Sequence, residues 1–194
     1  LFDFDWRLVA SVGYQESRWR KDAVSYTGVK GIMMLTKDTA KEVGVKDRID
    51  PKNSIFGGTK YLRSIYNRID YELDKNEKKW FAIAAYNIGL GHVEDAIKLA
   101  AKNGTQINKW SDIEPYILML SQSEYYRQTK YGYARGWETV KYVQNIKQYY
   151  DILTFLDSQD KEVDEKIKPF EKVAREKNDE LKEYSAMNVK CLNY

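Results

Sequence analysis

The chain has 194 residues, 43% of them hydrophobic, enough for one compact domain with a sizeable core. Its 32 basic and 29 acidic residues leave a net charge of +3, too even a balance to favour nucleic acid as a partner. One cysteine, Cys191, and one histidine, His92, exclude an intrachain disulfide and argue against a zinc site, and no run approaches the ~20 apolar residues of a membrane span.

The spacing of Leu, Ile, Val and Ala is near-helical, prolines are few and strict alternation is scarce, which predicts an all-α protein. Asp5 is placed to cap a first helix carrying Trp6, Leu8, Val9 and Val12. Thr36 caps a second helix that ends near Gly44, and a third starts from Ser54 with Ile55, Leu62, Ile65 and Ile69. The run from Trp80 to Tyr86 is apolar on nearly every side, so it predicts a helix buried at the centre, stopped at Asn87-Ile88-Gly89. Val93, Ile97 and Ala100 mark a short helix closed by Asn103-Gly104. Ser111 and Glu114 have the spacing of a capping box ahead of Ile117, Leu118 and Leu120. A longer helix follows from about Gly136, with Val140, Val143, Ile146, Tyr150 and Leu153 on one face. After Leu156 the composition turns to Lys, Glu and Asp. Residues 1–156 are therefore expected to form the folded domain, and 157–194 a charged peripheral tail, helical or frayed. Cys191 in that tail reads as an incidental thiol, since His92 is the single candidate base for it. No signal peptide is visible, and the sequence opens at Leu1-Phe2-Asp3 without an initiator Met, so a processed or partial chain is expected.

Glu16 is the first residue with chemical promise. It follows Val12 by four positions and Val9 by seven, so on a helix it shares their apolar face, with Gly13 alongside. Desolvation there disfavours the carboxylate and raises its pKa, and a carboxyl protonated near neutral pH can donate to a leaving oxygen. A solvated surface charge and a buried structural ion pair are the alternatives for this carboxyl.

The segments around Glu16 and beyond it follow a recognisable order. Tyr14-Gln15-Glu16-Ser17 precedes Gly31-Ile32-Met33-Met34-Leu35, then Asn53-Ser54-Ile55 with Gly58 and Tyr61-Leu62. Ala85-Tyr86-Asn87-Ile88-Gly89 and Glu138-Thr139-Val140-Lys141-Tyr142-Val143 complete the series. Over roughly residues 5–156 this resembles the lytic transglycosylases of glycoside hydrolase family 23, related to goose-type lysozyme. Thr27-Gly28-Val29, Met33-Met34-Leu35-Thr36 and Tyr131-Gly132-Tyr133-Ala134-Arg135-Gly136 are similar to the membrane-bound F type of that family. The sequence departs from many members in carrying Met34 where they have Gln, and Lys37 where they have Pro. Met34 lacks the amide hydrogen bonds of Gln and is expected to pack against the core or the glycan.

The resemblance implies a lysozyme-like helical domain with a substrate groove that takes peptidoglycan glycan strands. It implies cleavage of the MurNAc-GlcNAc β-1,4 bond without water, leaving 1,6-anhydroMurNAc ends, with Glu16 as sole acid and base. It implies that Tyr142 hydrogen-bonds Glu16 and that Asn87 contacts substrate, although Asn also suits a helix C-cap. Ser25 and Thr27 either reach the acetamido group or serve the turn. Met33 and Tyr86 line cleft or core, and Ser17 supports the first helix. No metal or cofactor is implied. The resemblance places the work in the periplasm, with outer-membrane association and a solute-binding-like domain supplied by a region outside this chain. A goose-type hydrolase with Asp22 as second carboxylate, a peptidoglycan-binding module without catalysis, and a structural domain fused to a sensor are the rival readings.

Overall fold

The computed structural model describes the backbone of residues 2–191 and the side chains of residues 2–162, 165, 168 and 172. The side chain of Cys191 lies outside the described residues. The all-α expectation holds: the elements are α1 (Trp6–Ser17), α2 (Lys37–Val43), α3 (Pro51–Arg68), α4 (Lys75–Ile88), α5 (Leu90–Lys102), α6 (Trp110–Met119), α7 (Ser123–Tyr126) and α8 (Gly136–Cys191). The chain divides into two units, Leu1–Tyr150 and Asp151–Tyr194. Among the described residues, Ile146 is the last fully buried one on α8. The described backbone of the second unit belongs to α8, which exposes Ile152, Phe155 and Leu156 there and carries a Lys161–Asp157 ion pair of 2.9 Å one turn apart.

In the first unit α4 is the central element. Phe81, Ala82, Ile83 and Ala84 are completely buried, and α4 packs against α3, α5 and α6. Burying each large apolar side chain contributes about 1.5–3 kcal/mol, so a helix apolar all round is stable only when enclosed. Phe81 meets Trp110 of α6 edge to face, and Leu8 and Val12 of α1 join the same core together with Val140, Val143 and Ile146 of α8.

Thr36 and Gly44 cap α2 where the sequence puts them, and Asn103 ends α5. Two boundaries differ from expectation. Helix α3 begins at Pro51 rather than Ser54, because Asp50 accepts from the Asn53 amide and Pro51 fills the first-turn position that needs no donor. Helix α6 begins before Ser111, because the Asp112 carboxylate accepts from the Asn108 and Lys109 amides, and Ser111 and Glu114 lie inside the helix. The short α7 had no sequence signal.

Asp5 caps α1 as expected and carries a wider load. It accepts from the Arg7 amide at 3.0 Å, from the Arg7 guanidinium at 2.6 Å and from the Tyr150 hydroxyl at 2.9 Å. The Arg7 side chain, chiefly, holds its pKa down at about 2, below the ordinary 3.8. Asp5→Ala is expected to destabilise the fold by about 1–2 kcal/mol at pH 7. The carboxylate's contribution is present above pH 3.8 and disappears as pH falls through about 2, so the difference closes in acid. Denaturant unfolding of parent and variant at both ends of that window measures it.

Candidate active site

Helix α1 delivers Glu16 one turn after Val12, whose side chain is fully buried, so the carboxyl is drawn toward the interior. Ser17 closes the same turn by donating to the Gly13 carbonyl at 3.2 Å, and Arg18 ends the helix in the left-handed conformation. Glu16 keeps some contact with solvent although most of the volume around it is protein. Tyr142, a buried residue of α8, donates to Glu16 Oε1 at 2.5 Å. Glu16 Oε2 has no partner among the described residues, and it is not one of the sealed polar atoms without a bond, so solvent reaches it. Desolvation pushes the Glu16 pKa up to about 7, and the Tyr142 hydrogen bond partly opposes the rise. The two oxygens thus differ: one is held, and the other is open and able to carry a proton near neutral pH.

Burial and the Tyr142 hydroxyl are the causes of this shift, and no acidic neighbour among the described residues contributes to it. Asp22 lies on the exposed surface. Tyr86 and Tyr142 are each pushed well above the ordinary phenol value, first by desolvation and next by the Glu16 charge, and they remain neutral donors. Tyr86 spends its hydroxyl on the Met33 carbonyl at 2.8 Å and packs edge-on against Tyr61.

The segment from Ala23 to Leu35 packs against α1, with Ile32 and Met33 lying close to Gly13. It is folded on itself by single bridges from Lys30 to Val24 and to Leu35, and clamped by Arg48, which donates to the carbonyls of Gly28 and Leu35. Gly31 has φ +82 and a Cβ there would lie 1.8 Å from the Arg48 carbonyl oxygen, so only glycine fits. The Met33 amide donates to the buried Ser54 hydroxyl at 3.1 Å. Met33 is completely buried, so its side chain belongs to the core and its link to the site is the carbonyl bound by Tyr86. Met34 is half-buried in a left-handed conformation, φ +46, which is strained for a side-chain-bearing residue. Ser25 and Thr27 pair with each other at 2.9 Å, and Ser25 also accepts from the Val29 amide; their described bonds stay within this loop. Asn87 is exposed in the last turn of α4, and its Oδ1 accepts from the Thr139 hydroxyl at 2.8 Å.

The structure therefore brings Glu16, Tyr86 and Tyr142 together, and ties Asn87 to the same helix as Tyr142. Two features of the neighbourhood lacked a reading in the sequence. Thr139 lies in a quoted motif three residues before Tyr142, and that spacing is the signal that could have found it. Asn145 donates to Gln15 at 3.1 Å, a second polar tie between α1 and α8 for which composition holds no sign. Among the described residues there is no cluster of three His, Cys, Asp or Glu side chains placed to hold a metal ion.

A family model described as "Transglycosylase SLT domain" matches residues 2–109, more than half of the chain. The chain belongs to this family. Similar relatives of this SLT domain include the membrane-bound lytic murein transglycosylase F of Pseudomonas fluorescens, 53% identical over 152 residues, which are 78% of this chain and 31% of the relative. The protein of the same name from Shewanella loihica is 47% identical over 175 residues, 90% of this chain and 37% of the relative. The chain spans about a third of the length of these curated relatives. Among solved structures, lytic transglycosylase Slt from Pseudomonas aeruginosa superposes with a TM-score of 0.56 at 24% identity, over 78% of this chain and 22% of that one. The 70 kDa soluble lytic transglycosylase from Escherichia coli gives 0.55 at 22% identity, with the same coverage. At such identities the likeness is one of fold: the SLT domain has the helical lytic transglycosylase architecture.

Proposed function

We propose that this domain is a peptidoglycan lytic transglycosylase that cleaves the MurNAc-GlcNAc β-1,4 bond without consuming water, with Glu16 as acid and then base. The observation that carries this reading is the asymmetry of Glu16, with Oε1 held by Tyr142 and Oε2 open, in a carboxyl whose pKa is about 7. A group half-protonated near neutral pH serves both directions of proton transfer. Oε2 gives its proton to the glycosidic oxygen as the bond to the MurNAc anomeric carbon breaks, and the substrate's N-acetyl group supports the positive charge that develops there. Glu16, now ionised, takes the proton of the MurNAc C6 hydroxyl as that oxygen bonds to the anomeric carbon. One bond breaks, one forms, and the net proton movement runs from the C6 oxygen to the departing GlcNAc. The nucleophile is tethered to its target, which removes the entropy of bringing in a second reactant.

The single carboxylate favours this route over hydrolysis, where a second one would hold the water. Membership of the SLT family and the names of the relatives, lytic murein transglycosylases, support the same reading. Asn87 is assigned to substrate contact. Met34, half-buried beside Met33, and the hydroxyls of Ser25 and Thr27 are assigned to the wall of the groove. The naming of these relatives as membrane-bound supports work in the cell envelope. We place it in the periplasm at the outer membrane, attached through a region outside this chain that also carries a solute-binding-like domain. Fractionation of cells making the full-length protein tests that placement.

Mass spectrometry of peptidoglycan digested by this chain tests the activity. Anhydro-ended muropeptides are the expected products. Reducing-end products would move the domain to the hydrolases, and intact glycan bound to the protein would leave a binding module.

A further inference from the structure

Thr139 and Tyr142 stand three residues apart on α8 and so on one face of it. Tyr142 holds one oxygen of Glu16, and Thr139 holds one atom of Asn87. Thr139 is buried, with 1% of its surface exposed, whereas Asn87 at the other end of the bond is exposed. A threonine inside a helix commonly turns its hydroxyl back to the carbonyl four residues earlier. Here the hydroxyl reaches across to Asn87 Oδ1 instead, at 2.8 Å. The start of α8 is seated tightly: a Cβ on Gly136 would lie 1.8 Å from the Ile117 carbonyl oxygen, so the helix lies directly against α6 and its first turns have a fixed register.

An amide has one acceptor end and one donor end. With Oδ1 occupied from the buried side, Asn87 Nδ2 has no partner among the described residues. We infer that Thr139 is a positioning residue that fixes the Asn87 amide with its NH2 toward the ligand, so that this part of the site selects a hydrogen-bond acceptor, of the class of an N-acetyl carbonyl oxygen. The inference rests on the proposed function for the nature of the substrate. The geometry from which it starts, a buried hydroxyl orienting an exposed amide, stands without it. One face of α8 then sets both the acid and the amide, and with them the distance between bond cleavage and substrate recognition.

The test compares the parent, Thr139→Val and Thr139→Ser on a soluble glycan of alternating MurNAc and GlcNAc, alongside 15N NMR of the Asn87 side-chain amide in the free proteins. Valine keeps the shape and deletes the hydroxyl; serine keeps the hydroxyl. Valine is expected to raise KM about tenfold, the effect of one lost hydrogen bond, with kcat and the pH profile of Glu16 nearly unchanged. Serine is expected to stay within about twofold of the parent, since it restores the same bond. The Asn87 amide is expected to be ordered in the parent and the serine variant and mobile in the valine variant. An unchanged KM in the valine variant, failure of serine to restore it, or a loss confined to kcat overturns the inference. If none of the three proteins cleaves the glycan, the proposed activity has failed. The NMR comparison then decides the inference alone: an amide equally ordered in all three overturns it, and one mobile only in the valine variant sustains the positioning role.

Discussion

Glu16→Gln is expected to lower glycan cleavage by about 10³-fold while making the fold more stable above pH 7. Gln has the shape of Glu and can still accept the Tyr142 hydroxyl at Oε1, so the hydrogen bond of 2.5 Å has a partner in both proteins. What is lost is the exchangeable proton at Oε2. The stability gain follows from the direction of the pKa shift. Burial raises the Glu16 pKa from 4.5 to about 7, so between those values the folded protein binds more proton than the unfolded chain. Stability therefore falls as pH rises through that window, and at pH 8 the ionised carboxyl costs the fold about 3 kcal/mol. Gln carries no such burden. Melting curves at pH 4 and pH 8, beside turnover at each pH, measure both effects: the variant's advantage should be absent at the first and present at the second. Turnover near the parent rate would remove Glu16 from its role, and equal stability at pH 8 would contradict its burial.

Tyr142→Phe is expected to reduce kcat by about ten- to a hundredfold, since a carboxyl free to rotate spends little time in line with the scissile oxygen. It also changes the pH dependence in a defined direction. The Tyr142 hydrogen bond works against desolvation and keeps the Glu16 pKa lower than burial alone would set it. Without it the pKa rises further, so the alkaline limb of the rate profile, where the general acid loses its proton, moves to higher pH. A full pH–rate profile of the variant separates this from simple loss of folded protein, which lowers the curve without moving it. A profile of parent shape at parent height would mean that Tyr142 does not position Glu16 in turnover.

Much of the scaffold was legible in the residue pattern because its causes are local. Caps at Asp5 and Thr36 satisfy orphan amides within one turn, and Gly44 and Asn103 end helices by the same local chemistry. The enclosure of Phe81 through Ala84 followed from a helix with no polar side to expose. The misplaced starts of α3 and α6 show where local signals compete: Asp50-Pro51 outweighed Ser54, and the Asp112 side chain reached back past Ser111.

The candidate acid could be picked from its apolar helix face, and the motif order pointed to Tyr142 and Asn87 as its neighbours. The sequence by itself thus determined the helical class, the main caps, the central helix and the identity of the residues around which a site could form. Only the tertiary structure decided their states. Met33 went wholly into the core, because α3 packs against it, with Ser54 accepting from its amide and Tyr86 donating to its carbonyl. Thr139 acquired a role because α8 lies against α6 through Gly136 and beside the end of α4. The two oxygens of Glu16 became different because a hydroxyl 126 residues away reaches one of them and solvent reaches the other. Desolvation and hydrogen-bond geometry depend on atoms brought together from distant parts of the chain, and no local pattern of residues contains that information.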